Sequence, residues 1–177
     1  MAFKRLMEAF SQTKFGAAFT DKFGKPLDRW IFKSTGGKVM LTRAVSNLNI
    51  GMMHLVGHKS GLPRDTPLVF VPHADTPNTF FVAATNFGKP NLPSWYNNLK
   101  WMSDVSFTLD GVTYDADVVE LDGEAYTDAW QMMRRQVKNY RKYDERVAGQ
   151  RNIPVFQVTG HTPRPATSEP PTTGDAT

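Results

Sequence analysis

"VSFTLDGVTYDADVVE", residues 105–120, decides the fold class. Val105, Phe107 and Leu109 alternate with polar residues, and Val112, Tyr114, Ala116 and Val118 alternate on the way back. Such a period of two puts one face of a strand on a core and the other toward water. Asp110 and Gly111 stand between the two runs. An Asp-Gly pair accepts the positive φ of a type I′ turn, whose twist matches that of the flanking strands. The stretch is therefore predicted to be an antiparallel hairpin.

Outward from this hairpin, "MMHLVG" (52–57), "TPLVFVP" (66–72) and "TFFVAAT" (79–85) read as strands upstream, and "IPVFQV" (153–158) as the last strand. Pro72 and the polar run from His73 to Asn78 read as a loop. "SWYNNLKW" (94–101) reads as a short helix with Ser94 at the N-cap. A longer helix is predicted from about Glu124 to Lys138, with Ala125, Ala129, Met132, Met133 and Gln136 near one face, and a short one around Tyr140 and Tyr143. Near the N-terminus, Phe3, Leu6, Met7 and Phe10 form one helical stripe, and Pro26 opens "PLDRWIFKS", which Gly36 and Gly37 would stop. Residues 160–177 are rich in Pro and Thr, nearly lack apolar side chains, and read as disordered. Neighbouring hairpin-like strands without regular helical crossovers imply an α+β protein with a mostly antiparallel sheet or small barrel.

The chain has 177 residues, 40% apolar, which suits one domain with a sizeable core. It has no cysteine, which excludes disulfides and thiolate chemistry. His54, His58, His73 and His161 show no metal-ligand spacing, so no metal is expected. No apolar run reaches a membrane span, and charges break the N-terminal stretch as no signal peptide would. The expected location is cytoplasmic.

The net charge of +4 is unevenly spread. Basic residues dominate 1–40 and 134–151, whereas 104–128 holds eight acids and no Lys or Arg. An anionic partner at the basic ends follows. Nucleic acid is not the expected one, because aromatic and basic residues do not interleave along a strand.

Two stretches carry candidate chemistry. In "GHKSGLPRDTPL" (57–68), Gly57 and Gly61 bracket a turn whose backbone can approach a ligand closely. Lys59 supplies a point charge, Ser60 a hydroxyl and Arg64 a planar fork suited to phosphate. In "VAATNFGKPNLPSWYNNL" (82–99), Thr85 and Asn86 end a strand, Gly88 permits close approach, Lys89 adds a cation, and Trp95 and Tyr96 are aromatic neighbours for a planar ring.

These two stretches, followed by "IPVFQV" and preceded by "LDRWIFKSTGGKVM" (27–40), resemble the deazaflavin-dependent nitroreductase family, actinobacterial proteins that use coenzyme F420. The resemblance spans roughly residues 26–160. It implies a split β-barrel like that of flavin-binding oxidoreductases, to which the helix patterns add N-terminal helices and a C-terminal helix pair. Lys59, Ser60, Gly61, Pro63 and Arg64 would hold the coenzyme's phosphate and acidic tail. Thr85, Asn86, Phe87 and Gly88 would line its ring, with Lys89 near anionic groups and Trp95 and Tyr96 as buttresses. Thr85, Tyr140 and Tyr143 would be the catalytic side chains. Where family members often carry a substrate-facing tyrosine this chain has Val69, and the place of a third C-terminal tyrosine falls near Arg146.

The expected function is thus an F420H2-dependent reductase passing hydride to an electron-poor acceptor such as a quinone, nitro compound or enone. The alternative is a non-catalytic deazaflavin- or lipid-binding module on the same barrel. The expected domains are residues 1–25 as an amphipathic segment, 26–160 as the barrel and 161–177 as a tail. The stripe of Phe3, Leu6, Met7 and Phe10 beside Lys4, Arg5 and Lys14 reads either as a peripheral contact with the inner face of the cell membrane or as a lid over the acceptor site.

Overall fold

The computed structural model describes residues 48–102 and 104–166. The expected N-terminal helices and most of the expected tail lie outside them. The strands are β1 (Ile50–Val56), β2 (Pro63–Val69), β3 (Val71–Pro72), β4 (Thr79–Ala83), β5 (Val105–Leu109), β6 (Val112–Glu120) and β7 (Val155–Pro165). The helices are α1 (Ser94–Lys100), α2 (Gly123–Gln136) and α3 (Asn139–Val147).

Among the described residues the seven strands form one sheet in the order β2-β1-β5-β6-β7-β4-β3, with every pairing antiparallel. The two edges are one piece of chain. Pro63–Val69 pairs with β1, Val71–Pro72 pairs with β4, and only Phe70 separates them. A single bent stretch therefore joins the first edge of the sheet to the last. This is the α+β split barrel that the sequence implied.

The 105–120 hairpin forms as predicted. Asp110 and Gly111 take φ of 55° and 79°, and Phe107 faces Tyr114 across the pair. Alternation then builds the interior: Met53 and Leu55, Phe70, Val82, Val105, Phe107 and Leu109, Ala116, Phe156 and Val158 form one buried cluster. The rings of Phe70, Phe107 and Tyr114 stack in sequence, with centroids 4.9 and 5.1 Å apart. Outside the barrel, Phe81, Ala83 and Val155 meet Trp130 and Met133 of α2 and Tyr140 and Val147 of α3 in a second cluster.

The structure corrects four local expectations. Ser94 is the first residue of α1 rather than its cap, which is Pro93. A proline suits this position because it needs no N–H there. The predicted second strand begins earlier, at Pro63, and breaks at Phe70, where the chain bends from one edge of the sheet to the other. α2 ends at Gln136, ahead of the predicted Lys138, because Val137 turns to an extended ψ of 95° and buries its side chain. The last strand continues past the expected boundary to Pro165. There Arg164 opposes Thr113 and pairs with Asp115 at 2.7 Å. Cross-strand pairing with β6 holds residues 161–165, expected from the sequence to be disordered, although they are exposed and contribute no apolar burial.

Candidate functional site

α1 links the two stretches singled out in the sequence. It buries Trp95 and Leu99 in the barrel cluster, so it is seated on the barrel interior. The 85–93 loop runs into its N-terminus. The 57–62 turn docks at its other end, where Asn98 Oδ1 accepts the His58 N–H at 3.0 Å and the His58 ring stacks on Trp101 at 4.7 Å. Seven helical residues span about 10 Å, so the two glycine-bearing loops flank one short helix.

The 57–62 turn is closed by its own backbone. The Gly57 carbonyl accepts from Ser60 N–H at 3.0 Å and Gly61 N–H at 2.8 Å, and Gly57 N–H donates to the Leu62 carbonyl at 2.8 Å. Any Cβ on Gly57 would stand 2.6 Å from Ser60 Oγ. Arg64 Nη2 donates to that same hydroxyl at 3.3 Å. Lys59 and Arg64 are exposed, and neither pairs with a carboxylate among the described residues. Asp65, beside them, is instead committed to His54 at 2.9 Å. The turn and the start of β2 thus present two exposed, unneutralised cations and a hydroxyl, a donor set that fits a phosphate or carboxylate.

The second loop has an unusual backbone. Asn86, Phe87 and Gly88 have φ of 45°, 56° and 70°, three left-handed residues in a row. A left-handed conformation costs roughly 1–2 kcal/mol for a residue with a Cβ, less for asparagine. The surroundings hold it. Gly88 N–H donates to the Thr85 carbonyl at 2.9 Å, Lys89 N–H to that of Asn86 at 3.0 Å, and Asn86 Nδ2 to that of Asn91 at 2.8 Å. Arg146 Nη1 donates to the Phe87 carbonyl at 3.2 Å, and Phe87 meets the edge of Tyr143 at 6.2 Å. Arg151 contributes most. Its Nη2 donates to the carbonyls of Thr85 (2.8 Å) and Lys89 (2.9 Å), its Nη1 to those of Ala84 (3.3 Å) and Asn152 (3.0 Å), and its Nε to that of Lys89 (3.1 Å). Burial lowers this guanidinium below its ordinary pKa.

The sequence-predicted residues sort accordingly. Lys59, Ser60, Gly61, Pro63 and Arg64 gather on or beside one exposed turn, and Thr85, Asn86, Phe87, Gly88 and Lys89 form one continuous loop. The Thr85 hydroxyl has no hydrogen-bond partner among the described residues, which leaves it available. Trp95 is a core residue, 7% exposed and packed on Phe156, so it supports α1 from behind. Tyr96 packs on the same ring and donates to Glu120, which also pairs with Lys100. Tyr140 lies in the core between the helices. It is 5% exposed and stacked on Trp130 at 5.6 Å, where burial and then the neighbouring Tyr143 raise its pKa far above the ordinary value. Tyr143 is half-buried beside Phe87, and burial raises it too, against the pull of Arg146 and Asn139.

Sequence reading missed Arg151 and Asn98. Neither stands in a recognisable pattern, because the groups they hold lie 62 and 40 residues away.

Comparison with known proteins identifies the family. The family model for F420H(2)-dependent quinone reductase matches residues 27–160. An F420H(2)-dependent quinone reductase of Mycobacterium tuberculosis is 30% identical over 136 residues, covering 73% of this chain and 85% of that protein. Among solved structures, an F420-H2 dependent reductase aligns with a TM-score of 0.53 and 32% identity, covering 62% of this chain and 93% of its own. One described as a domain-swapped dimer aligns at 0.57 and 31%, covering 73% and 92%. The match takes in the barrel, both loops flanking α1 and α3 together, and the chain belongs to the F420H2-dependent quinone reductase family, whose cofactor is reduced coenzyme F420.

Proposed function

We propose that this protein reduces a quinone with reduced coenzyme F420 bound along α1, between the two loops. The observation that carries this reading is the pairing of an exposed turn bearing two unneutralised cations with a strained, clamped loop at the far end of the same helix. Lys59, Ser60, Gly61, Pro63 and Arg64 take the phosphate and acidic tail, with Lys89 as a further cation. Thr85, Asn86, Phe87 and Gly88 face the ring. When bound, the coenzyme supplies two electrons as a hydride. The chain's task is to align donor and acceptor and to keep water from between them. The quinone gains the hydride and a proton from solvent and leaves as hydroquinone. Negative charge that develops on its oxygen needs a nearby donor. We assign this role to the Thr85 hydroxyl, with Tyr143, which packs beside Phe87, as the second donor.

Mixing the purified protein with reduced coenzyme and a soluble quinone should oxidise the coenzyme well above background. Thr85→Ala should lower the rate at saturating coenzyme by about ten-fold, the value of one hydrogen bond of about 1–1.5 kcal/mol, and change coenzyme affinity little. Tight coenzyme binding without reduction of any quinone, nitroaromatic or enone would establish the non-catalytic module instead.

A membrane-resident quinone suits the N-terminal stripe of Phe3, Leu6, Met7 and Phe10 beside Lys4 and Arg5, which we assign to an anionic lipid surface. Removing residues 1–25 should abolish salt-sensitive co-sedimentation with anionic vesicles. Equal sedimentation of both forms would refute this contact.

A further inference from the structure

We propose that Arg151 is a positioning residue for coenzyme binding: by bridging the two ends of the left-handed 86–88 turn, it presets the surface that the ring contacts. This rests on the proposed placement of the ring against Thr85–Gly88.

Three features of the geometry carry the inference. The guanidinium reaches both sides of the turn, Ala84 and Thr85 before it and Lys89 after it, so the turn cannot open without breaking several bonds at once. Arg151 itself stands in the segment that leads into β7, so its bonds to Ala84, Thr85 and Lys89 tie the loop to the barrel wall. Its partners are carbonyls alone, with no carboxylate among the described residues. A guanidinium can satisfy four carbonyls through a planar fork, whereas an ammonium is a compact point donor that cannot span the same arc. An arginine with only a packing role would not need this convergence.

Arg151→Lys is the decisive variant, because it keeps the charge and most of the stem. Its fold, followed by circular dichroism and thermal melting, should remain intact. Fluorescence titration should show coenzyme affinity weakened by about ten-fold or more, since small misplacements of a preset site are costly. Hydrogen exchange should quicken at the Gly88 and Lys89 amides, which close the turn, and stay unchanged at the β1–β5 ladder. Methylguanidinium added to Arg151→Ala should restore part of the affinity. Should Arg151→Ala not fold, the lysine variant and its exchange pattern still decide.

Wild-type affinity in Arg151→Lys would overturn the proposal, as would faster exchange spread evenly over the barrel, which marks a general structural role. Failure of the wild-type protein itself to bind coenzyme would instead remove the functional reading on which the proposal stands.

Discussion

Replacing Lys59 and Arg64 together with alanine is expected to weaken coenzyme binding by about a hundred-fold. Each charge-assisted hydrogen bond is worth about 1.5–3 kcal/mol. Both side chains are exposed, so the lower end applies, and two such contacts give about 3 kcal/mol. The loss should fall on affinity rather than on the rate at saturating coenzyme, because neither cation lies in the loop assigned to the ring. Salt provides an independent check. Exposed charges are screened within about 8 Å at physiological ionic strength, so wild-type affinity should fall as salt rises. The double variant should show a flatter dependence. The fold should survive, since the turn is closed by backbone bonds among Gly57, Ser60, Gly61 and Leu62. Unchanged affinity in a titration would return both cations to plain solvent.

Gly88→Ala should be the most damaging single substitution in the ring-facing loop. Two effects add. A φ of +70° is strained for any residue with a Cβ, and that Cβ would stand 2.9 Å from Arg146 Cδ, 3.1 Å from Arg146 Cβ and 3.1 Å from the Tyr143 Cα. The arginine's outer carbons can move, but the Tyr143 backbone is part of α3 and cannot. Either α3 shifts away or the turn opens. We expect about 2–3 kcal/mol of lost stability, the range of overpacking plus backbone strain, and coenzyme affinity lower by well over ten-fold. Gly149→Ala serves as the control. Its φ is +72°, yet nothing lies within 4 Å of the added carbon, so only the strain remains. Equal melting temperatures for the two variants would show that close approach to α3 contributes nothing.

Much of the molecule was legible beforehand because it rests on local rules. Period-two alternation in Val105–Leu109 and Val112–Val118, with Asp110-Gly111 between, specified a hairpin whose interior face proved to be the barrel core. Gly57 and Gly61 around Lys59 marked a turn that does present its cations outward. The resemblance of the two loops to a known family gave the family, the barrel and the coenzyme before the geometry was seen.

What stayed hidden depends on contacts between distant parts of the chain. Nothing near Phe70 announces that one stretch pairs with β1 and then β4 and so joins the edges of the sheet; that bend follows from barrel curvature. Tyr140 and Tyr143 look alike on paper, yet packing of α3 against α2 buries one against Trp130 and leaves the other beside Phe87. Residues 161–165 lack the apolar pattern of a strand, and pairing with β6 made them one.

Local pattern thus specified the hairpin, the cationic turn and the glycines, since each is a matter of backbone dihedrals and near neighbours. Arg151 shows the limit. Its sequence context names no partner, because five hydrogen bonds to carbonyls carry no side-chain signature. Only packing of the β7 lead-in beside the 84–89 loop brings the guanidinium to those oxygens, and the strained turn is held where that packing puts it.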